Sequence, residues 1–278
     1  MSELKLGVQL YSVRDQMEKD MYGTLKAVKE MGYDYVEFAG YFGKSAEEIK
    51  AMLDELGLKV ASAHQSYDLF LKEGQKAVDY LKTLGAKYVA IPWMAAENQK
   101  GCAEYDNIIA DIKKVGQLLK DNGIQLLYHN HDFEFQKFEG KFKLDWLYES
   151  VPADLLKTEI DTCWVHYAGY DPSDYLAKYE NRAPVVHLKD FTCKALGGGP
   201  AYALIDENGK EIEDAPNKED NEFKFAPCGQ GRQDFVKILE TAKKVGAEYV
   251  IVEQDQTYET PSLEAIKQSR EYLKTLGL

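Results

Sequence analysis

Two histidines, His129 and His131, stand two positions apart at the end of an apolar run that begins at Leu126. The whole chain contains only five histidines. Residues two apart on a strand share a face, so both imidazoles point to the same side if this run is a strand. Imidazole nitrogens bind divalent metals and exchange protons near neutral pH. The spacing therefore predicts a metal or acid–base site at the end of this strand.

Other short apolar runs of the chain also end in ionisable side chains. Glu159 and Asp161 form a second pair with the same spacing, and His187 and Lys189 form a third. Further runs end in single polar or aromatic residues, which are Glu37, His64, Trp93 and Glu253. Because strand interiors in a packed barrel are apolar, ionisable residues gathered at strand ends indicate a functional site. Imidazole nitrogens and carboxylate oxygens together suit a divalent ion such as Mn²⁺, Zn²⁺, Co²⁺ or Mg²⁺.

The elements that would position these residues alternate regularly along the chain. Around Gly32, Gly85 and Gly246, a helix end is followed by the glycine and then by a β-branched or aromatic run, which indicates a helix-to-strand junction. The predicted strands are Lys5–Tyr11, Tyr33–Ala39, Leu58–His64, Tyr88–Trp93, Ile124–Asn130, Leu156–Thr162, Pro184–Asp190 and Tyr249–Asp255. Eight strands alternating with helices predict an α/β fold, a closed (β/α)8 TIM barrel formed by residues 1–278 as a single domain.

An open doubly wound sheet is the competing architecture. It is disfavoured because no Gly-x-Gly-x-x-Gly pattern follows any predicted strand and no linker divides the chain. The predicted strands are also continuous apolar runs, which is typical of parallel strands buried on both faces.

One connection is far longer than the others. Residues 191–232 separate the seventh predicted strand from the next helix, whereas such connections usually contain about two to six residues. Within this loop, Leu204–Ile212 indicates a hairpin around Asn208 and Gly209. Because the loop follows a strand, it should project from the C-terminal face of the barrel, where active sites lie. A solvated surface loop, an active-site lid and an oligomer contact are the open alternatives.

The charge balance excludes several functional classes. The formal net charge is −13, from 47 acidic and 34 basic residues, and such a field repels phosphate backbones and anionic membranes. No apolar run reaches the roughly 20 residues of a membrane-spanning helix, and the N-terminus lacks a signal-peptide apolar region. We therefore expect no nucleic-acid partner, no membrane association and a cytoplasmic location.

The four cysteines show no Cys-x-x-Cys spacing and are expected to be reduced thiols.

In chain order, these residues resemble the xylose-isomerase-like TIM-barrel superfamily, and within it the sugar phosphate isomerase/epimerase group. The resemblance covers essentially the whole chain and implies a metal-dependent barrel enzyme with a small-molecule sugar substrate. Homodimers are common among such barrels, so a homodimer is an expectation of the resemblance alone. The segments that carry it are Tyr35-Val-Glu37-Phe, His64, Tyr128-His129-Asn-His131, Glu159-Ile-Asp161-Thr-Cys-Trp164, Val186-His187-Leu-Lys189-Asp190, Gly229-Gln-Gly-Arg-Gln-Asp-Phe235 and Val252-Glu253-Gln-Asp255.

The resemblance also implies a set of metal ligands. The family site takes a Glu from the fifth strand, an Asp from the sixth, a His from the seventh and a Glu from the eighth. The last three match Asp161, His187 and Glu253, whereas His129 stands where the epimerases usually carry Glu. His129 is therefore expected as the fourth ligand, and recruitment of His131 or Glu134 in its place is the alternative.

The same resemblance implies catalytic and substrate-binding roles. In the epimerases, two metal-bound glutamates act as acid and base, so His129 in place of one of them disfavours a symmetric two-carboxylate epimerisation. His131 is predicted as the base, with Glu159 as a second candidate and Glu253 as a ligand that also exchanges protons. The residues predicted to line the sugar site are Glu37, His64, Trp93 and Lys189.

The main functional prediction is a sugar isomerase or epimerase that acts through an enediolate on a keto- or aldo-sugar or a derivative. The first alternative is a metal-dependent lyase, either a keto-inositol dehydratase or an enzyme that cleaves a 3-keto-glycoside. The second is a carbohydrate-binding protein without catalytic activity. The catalytic outcomes share one first step, in which a base removes the proton beside a metal-chelated carbonyl. A nuclease resembling the superfamily's apurinic endonuclease is disfavoured, because Trp164 stands where that enzyme carries a further metal-binding histidine.

Overall fold

Eight parallel strands form the central sheet of the computed structural model, which describes residues 3–197 and 221–278. Around the sheet, the strands follow the order three, two, one, eight, seven, six, five, four. Strands three and four meet through a parallel bridge between His64 and Ala90, and the Gln65 N–H donates to the Ala90 carbonyl at 2.9 Å. The predicted (β/α)8 barrel is therefore confirmed. In chain order, the barrel strands are Lys5–Gln9, Tyr35–Phe38, Lys59–Ala63, Tyr88–Ile91, Gln125–His129, Lys157–Asp161, Val185–Leu188 and Tyr249–Val252.

Helices connect successive strands and cover the outside of the barrel. The helix Ala46–Leu56 shows how local sequence sets their ends: Ser45 and Glu48 form a capping box at its start, and Gly57 ends it with a φ of 69°. The α-helices are Arg14–Met17, Met21–Glu30, Ala46–Leu56, Tyr67–Glu73, Gln75–Leu84, Tyr105–Asp121, Lys143–Ser150, Thr162–Tyr167, Pro172–Ala177, Phe235–Val245 and Ser262–Thr275. Short 3-10 helices span Leu10–Val13, Ala96–Asn98 and Phe133–Phe135.

The inside of the barrel is divided into an apolar part and a polar part. Ile251 and His187 are register partners on neighbouring parallel strands, so their side chains point to the same side of the sheet. Ile251 belongs to a buried cluster that fills the barrel toward the strand N-termini, together with Ala61, Tyr88, Ala90, Leu127, Val185 and Tyr249. The polar residues of the predicted site therefore lie above this apolar cluster, which is called the apolar floor of the barrel.

Most of the strands are shorter than the sequence predicts at their C-terminal ends. The first strand ends at Gln9, and Leu10–Val13 is a 3-10 helix whose start is capped by the Gln9 side chain, which accepts from the Tyr11 N–H at 3.0 Å. The seventh strand ends at Leu188 rather than Asp190. At the first strand, a polar side chain thus replaces the ladder as the hydrogen-bonding partner of the backbone.

The long loop after the seventh strand is only partly described. Its first residues form a short strand, Asp190–Thr192, which pairs antiparallel with Lys224–Ala226 at its other end. The predicted hairpin at Leu204–Ile212 lies outside the described residues. A second small hairpin, Lys137–Phe138 with Lys141–Phe142, follows the fifth strand and was not predicted.

Two expectations from composition can be compared with the structure. All four cysteines are free thiols, as predicted. Within the described part of the chain, no helix has both the length and the apolar character required to cross a bilayer.

Candidate active site

Strand register brings the predicted site residues together at the mouth of the barrel. His129 is paired in register with Glu159, and Asp161 is paired with His187. His64, Lys189 and Glu253 each come directly after the last residue of a barrel strand. All of these side chains are buried or nearly so. Apart from Lys189, they form with Glu37 two groups of possible metal ligands that share His187.

The group nearer the mouth of the barrel, called the upper group, consists of His129, Asp161, His187 and Glu253. His129 Nε2 lies 3.2 Å from Asp161 Oδ2 and 3.7 Å from Glu253 Oε2. His187 Nδ1 lies 3.0 Å from Glu253 Oε2. The structure therefore brings together the four residues that the sequence predicts as the metal shell.

The lower group consists of Glu37, His64, Glu159 and His187. His64 Nε2 lies 2.6 Å from Glu159 Oε1 and 3.3 Å from Glu37 Oε2. His187 Nε2 lies 2.7 Å from Glu37 Oε2 and 3.2 Å from Glu159 Oε1. Three of these residues had been predicted to bind sugar or act as a base, and the structure places all three deep in the barrel against His187.

Lys189 is the fixed cation of the upper group. Its ammonium lies 2.8 Å from Glu253 Oε2, 2.9 Å from Asp255 Oδ1 and 3.1 Å from Asp161 Oδ2, and its side chain is 1% exposed. Burial alone would lower the pKa of Lys189, but the three carboxylates outweigh burial and hold that pKa well above its usual value. Because the ammonium faces three carboxylates, its predicted contact with a sugar hydroxyl stays a prediction.

The carboxylates of the upper group stay ionised despite their burial. Burial alone would raise the pKa of Asp161, but Lys189 and His129 hold it below the usual value. Burial also acts to raise the pKa of Glu253, and Lys189 and His187 hold that pKa well below the usual value. Both side chains are therefore anionic at neutral pH, which is the form that binds a metal.

Carboxylates also set the protonation of the two histidines of the lower group. Burial alone would lower the pKa of His187, but Glu37 and Glu159 outweigh it and hold that pKa well above its usual value. The same two carboxylates raise the pKa of His64 against the effect of burial. Protons on the imidazoles thus supply positive charge to the site, and a bound divalent ion supplies it in their place.

His131 lies beside the upper group in an aromatic setting. Its ring is 5.2 Å from that of His129 and stacks between Phe133 at 5.4 Å and Trp164 at 5.5 Å. Burial, together with the nearby His129 and Lys189, lowers the pKa of His131 well below its usual value. The predicted base is therefore a neutral imidazole at pH 7, held in a fixed orientation by its neighbours.

Glu134, the alternative fourth ligand, belongs to neither group. It accepts from the Tyr128 hydroxyl at 2.6 Å and from the His131 backbone N–H at 2.9 Å. Burial raises the pKa of Glu134 to about 8. A carboxyl group that holds its proton near neutral pH is a poor metal ligand.

Trp93 and His166 belong to neither ligand group. Trp93 follows the fourth strand, and 53% of its surface is exposed, so its predicted stacking on a sugar stays a prediction. The His166 ring lies 2.8 Å from Gln233 Oε1, which agrees with an ordinary hydrogen-bonded histidine.

Sequence reasoning assigned no role to three residues at strand ends that organise the site. Gln9 donates to Glu37 Oε2 at 2.8 Å, and Asp255 contacts Lys189. The position of Asp255, two residues after Glu253, was a signal for a shared face that could have identified it. Asp190, the third, accepts hydrogen bonds from backbone N–H groups at both ends of the long loop that follows the seventh strand.

The four backbone N–H groups that Asp190 accepts belong to Phe191, Gly229, Gly231 and Gln233. A Cβ at Gly231 would lie 2.2 Å from Asp190 Oδ1. The Gly229-Gln-Gly segment therefore closes the long loop onto the seventh strand, and its glycine at 231 is needed for close approach.

The donor set of the upper group fits a divalent ion. Two imidazole nitrogens and two carboxylate oxygens, all buried, lie within 4.8 Å of one another. Mixed nitrogen and oxygen donors of this kind bind Zn²⁺ and related divalent ions. If an ion is bound there, His129, Asp161, His187 and Glu253 would hold it.

Comparison with known proteins yields one family and several relatives. Residues 25–276 match the family described as xylose isomerase-like TIM barrel. An inosose dehydratase of Geobacillus kaustophilus is 25% identical over 280 residues, covering 91% of this chain and 86% of that protein.

Two solved structures share the fold over nearly the whole chain. A sugar phosphate isomerase/epimerase of Parabacteroides distasonis has a TM-score of 0.75 at 21% identity and covers 98% of each chain. A crystal structure of an IolI protein with a bound zinc atom has a TM-score of 0.70 at 17% identity, again covering 98% of each chain.

Proposed function

The chain belongs to the xylose isomerase-like TIM-barrel family, and we propose that it is a metal-dependent lyase that removes water from a cyclic keto-polyol of the inosose class. This is the alternative that the sequence left open beside the isomerase. The comparisons favour it over the main prediction, since a relative aligned over nearly the whole chain is named inosose dehydratase. The resemblance to a sugar phosphate isomerase/epimerase, at 21% identity, supports the shared fold only.

The observation that carries the proposal is the asymmetry of the upper group. His129 stands where a two-carboxylate epimerase would place its second carboxylate, and His131 lies next to it at 5.2 Å between ring centres. An epimerase must remove a proton from one face of a carbon and return one to the other face. A dehydratase needs only one group that takes a proton and returns it to a leaving hydroxyl, and one imidazole suffices for that.

His131 is the residue that we assign to proton transfer. Its neutral imidazole takes the proton from the carbon beside the ketone. The electrons of that C–H bond form a C=C bond to the β-carbon as the C–O bond of the β-hydroxyl breaks, and the hydroxyl leaves as water with the proton that His131 returns. Phe133 and Trp164 fix the ring for both transfers. The product is an unsaturated enol, which tautomerises to a diketone.

The remaining residues of the site orient the substrate and keep water out. A divalent ion held by the upper group would supply Lewis-acid polarisation of the ketone oxygen and an adjacent hydroxyl. Lys189 keeps Asp161 and Glu253 ionised and aligned, so it acts as a positioning residue. The apolar floor below the lower group closes the barrel on the side opposite the substrate.

The test is a reaction in D2O with the Mn²⁺- or Zn²⁺-loaded protein and a set of keto-inositols and keto-sugars. We expect loss of one water, detected by mass spectrometry, together with the ultraviolet absorbance of a conjugated product. Deuterium uptake with no loss of water would overturn the proposal and favour the isomerase. Release of an alcohol from a 3-keto-glycoside, with no water lost from a keto-inositol, would also overturn it.

The role of His131 has its own variant. His131→Gln should lower kcat by about 10²-fold or more, because general acid–base catalysis contributes about that much, while bound metal stays unchanged. The matched control is His166→Gln, which alters a histidine outside the site and should leave kcat unchanged. Full activity in His131→Gln would exclude this residue as the proton-transfer group.

A further inference from the structure

We propose that the lower group is a second divalent-metal site and that the His187 ring joins it to the upper group. The residues concerned are Glu37, His64, Glu159 and His187, drawn from the second, third, sixth and seventh barrel strands or the residue directly after them. Glu159 precedes Asp161 by two residues on the same strand face, so the lower group lies about 6.6 Å deeper along that strand.

The four donor atoms form a closed ring in which nitrogen and oxygen alternate. The successive distances around it are 2.6 Å, 3.2 Å, 2.7 Å and 3.3 Å. Ligands about 2.0–2.1 Å from a tetrahedral Zn²⁺ lie about 3.3 Å from one another. A small outward movement of the side chains would therefore convert this ring into a tetrahedral shell, and two of its edges already have that length.

The two carboxylates of the lower group are incompletely satisfied. Glu37 Oε1 and Glu159 Oε2 are buried and have no hydrogen-bond partner among the described residues. Both residues are fully buried. A buried carboxylate oxygen without a partner costs free energy, and a bound cation removes that cost.

Unlike the upper group, the lower group contains no fixed cation. Lys189 lies against Asp161 and Glu253 of the upper group. In the described part of the chain, no lysine or arginine comes within ion-pair distance of Glu37 or Glu159; their ion-pair partners are His64 and His187. The lower group therefore has the stronger need of a cation from solution.

The charge of the whole cluster matches two divalent ions rather than one. The cluster contains five carboxylates, and the ammonium of Lys189 contacts three of them, those of Asp161, Glu253 and Asp255. With neutral histidines the five carboxylates and this ammonium carry an excess of four negative charges. Two divalent ions offset that excess without protonated histidines, whereas with one ion the remaining two negative charges require protons on the imidazoles.

His187 is placed to serve both groups. Its Nε2 faces Glu37 and Glu159 of the lower group, and its Nδ1 faces Glu253 of the upper group. A neutral imidazole has a lone pair on only one ring nitrogen, so His187 would serve both ions after its ring N–H proton is released to solvent. The resulting imidazolate has one ligand nitrogen for each site and adds one negative charge to the cluster.

The test is metal stoichiometry in the intact protein. Chelator-treated protein is loaded with Zn²⁺ or Mn²⁺, freed of excess ion by gel filtration, and analysed for bound metal by mass spectrometry. We expect about two ions per chain in the wild type. Glu37→Gln and Asp161→Asn should each retain about one, and the double variant should retain none. A wild type that binds one ion, lost in Asp161→Asn and kept in Glu37→Gln, would overturn the proposal.

Controls separate ligand loss from damage to the fold. Circular dichroism verifies folding, and His64→Gln, which alters the least buried member of the lower group, repeats the test if Glu37→Gln does not fold. Glu134→Gln alters a buried carboxyl that belongs to neither group and should leave two ions bound. Two ions retained in both Glu37→Gln and His64→Gln would also overturn the proposal. Because no substrate is needed, the result is independent of the proposed lyase activity.

Discussion

The eighth strand carries a glutamate just outside each of its ends, and the two lie in opposite electrostatic settings. Glu248 lies at the strand N-terminus with Lys5 at 2.9 Å, Lys87, and the Tyr88 hydroxyl at 2.9 Å. Glu253 lies at the C-terminus in the upper group. At the first end two lysines contact one carboxylate, whereas at the second end one lysine, Lys189, contacts three carboxylates.

This difference shows how one barrel separates stability from function. At the N-terminal end, the charge of Glu248 is matched by lysines of the chain itself, and the rings of Tyr88 and Tyr249 in the floor pack edge to face with each other and, through Tyr249, with Tyr35. At the C-terminal end, the chain does not neutralise its own carboxylates. A cation-binding site requires buried, fixed carboxylates that outnumber the positive charges around them. The following predictions test this comparison.

The largest expected effect comes from removing Lys189 at the mouth. Lys189→Met should lower the free energy of unfolding of the metal-free protein by about 3–5 kcal/mol, because it removes the ammonium that contacts three buried carboxylates. The pKa of Lys189 is raised in the folded state, so its contribution is fully present at neutral pH and would be lost only at strongly alkaline pH. Thermal and urea unfolding measure the change.

The charge argument also predicts a partial rescue. Adding Asp255→Asn to Lys189→Met removes one of the three carboxylates that Lys189 contacts and should restore part of the lost stability. A double variant less stable than Lys189→Met alone would show that lost packing, rather than charge, explains the effect.

The next effect is that of the metal itself. Loading the protein with Zn²⁺ or Mn²⁺ at a free concentration 100 times Kd should stabilise the folded state by about 2.7 kcal/mol per independent site. The increase should be smaller in Asp161→Asn and unchanged in a variant at the opposite end of the barrel, Glu248→Gln. Calorimetry with and without chelator measures it, and an equal increase in both variants would contradict the comparison.

Most of the fold could be predicted from sequence because its signals are local. Glycines such as Gly85 and Gly246 take left-handed conformations at helix ends, and their neighbours indicate the following strand. The strand ends were less predictable, because the apolar run continues beyond the last ladder hydrogen bond. At Gln9, for example, a side chain caps the next helix and ends the strand, which the residue pattern does not show.

The sequence could predict which residues form the site, but not how far inside the barrel each of them lies. Positions at the ends of predicted strands, together with the resemblance to the family, identified Asp161, His187 and Glu253 as residues of one site, and the structure places them together. The sequence could not show that Glu37 and Glu159 meet across the barrel, because that contact depends on the stagger of distant strands. The contacts of both His187 ring nitrogens, Nε2 with Glu37 and Glu159 and Nδ1 with Glu253, also depend on the stagger of the strands, so the linear sequence does not indicate them.

A smaller effect is expected at the N-terminal end. Partial burial alone would raise the pKa of Glu248, but hydrogen bonds from Lys87, Lys5 and Tyr88 lower it to about 2. A carboxylate with a lowered pKa stabilises the fold above its unfolded pKa of about 4.5, and this contribution is lost as the pH falls toward 2. Since the group is partly exposed, Glu248→Gln should cost on the order of 1 kcal/mol at pH 7.

The pH dependence makes this prediction specific. The difference in unfolding free energy between wild type and Glu248→Gln should shrink as the pH falls from about 5 to about 2, and metal should not change it. Urea unfolding at a series of pH values measures the difference. A difference that stays constant over this range would show that hydrogen-bond geometry, and not charge, gives Glu248 its role.

The smallest effect on stability is expected at Trp93. A variant at this position and one at the N-terminal end should differ most clearly in their effects on stability and KM. Its indole is 53% exposed at the mouth, so Trp93→Ala should change the free energy of unfolding by only about 0.5 kcal/mol. If the ring stacks on an apolar face of the substrate, KM should rise several-fold while kcat and bound metal stay unchanged. Tyr35→Ala, at the N-terminal end, should do the reverse and lower stability without changing KM. An unchanged KM in Trp93→Ala would remove this residue from the substrate site and leave recognition to the buried groups.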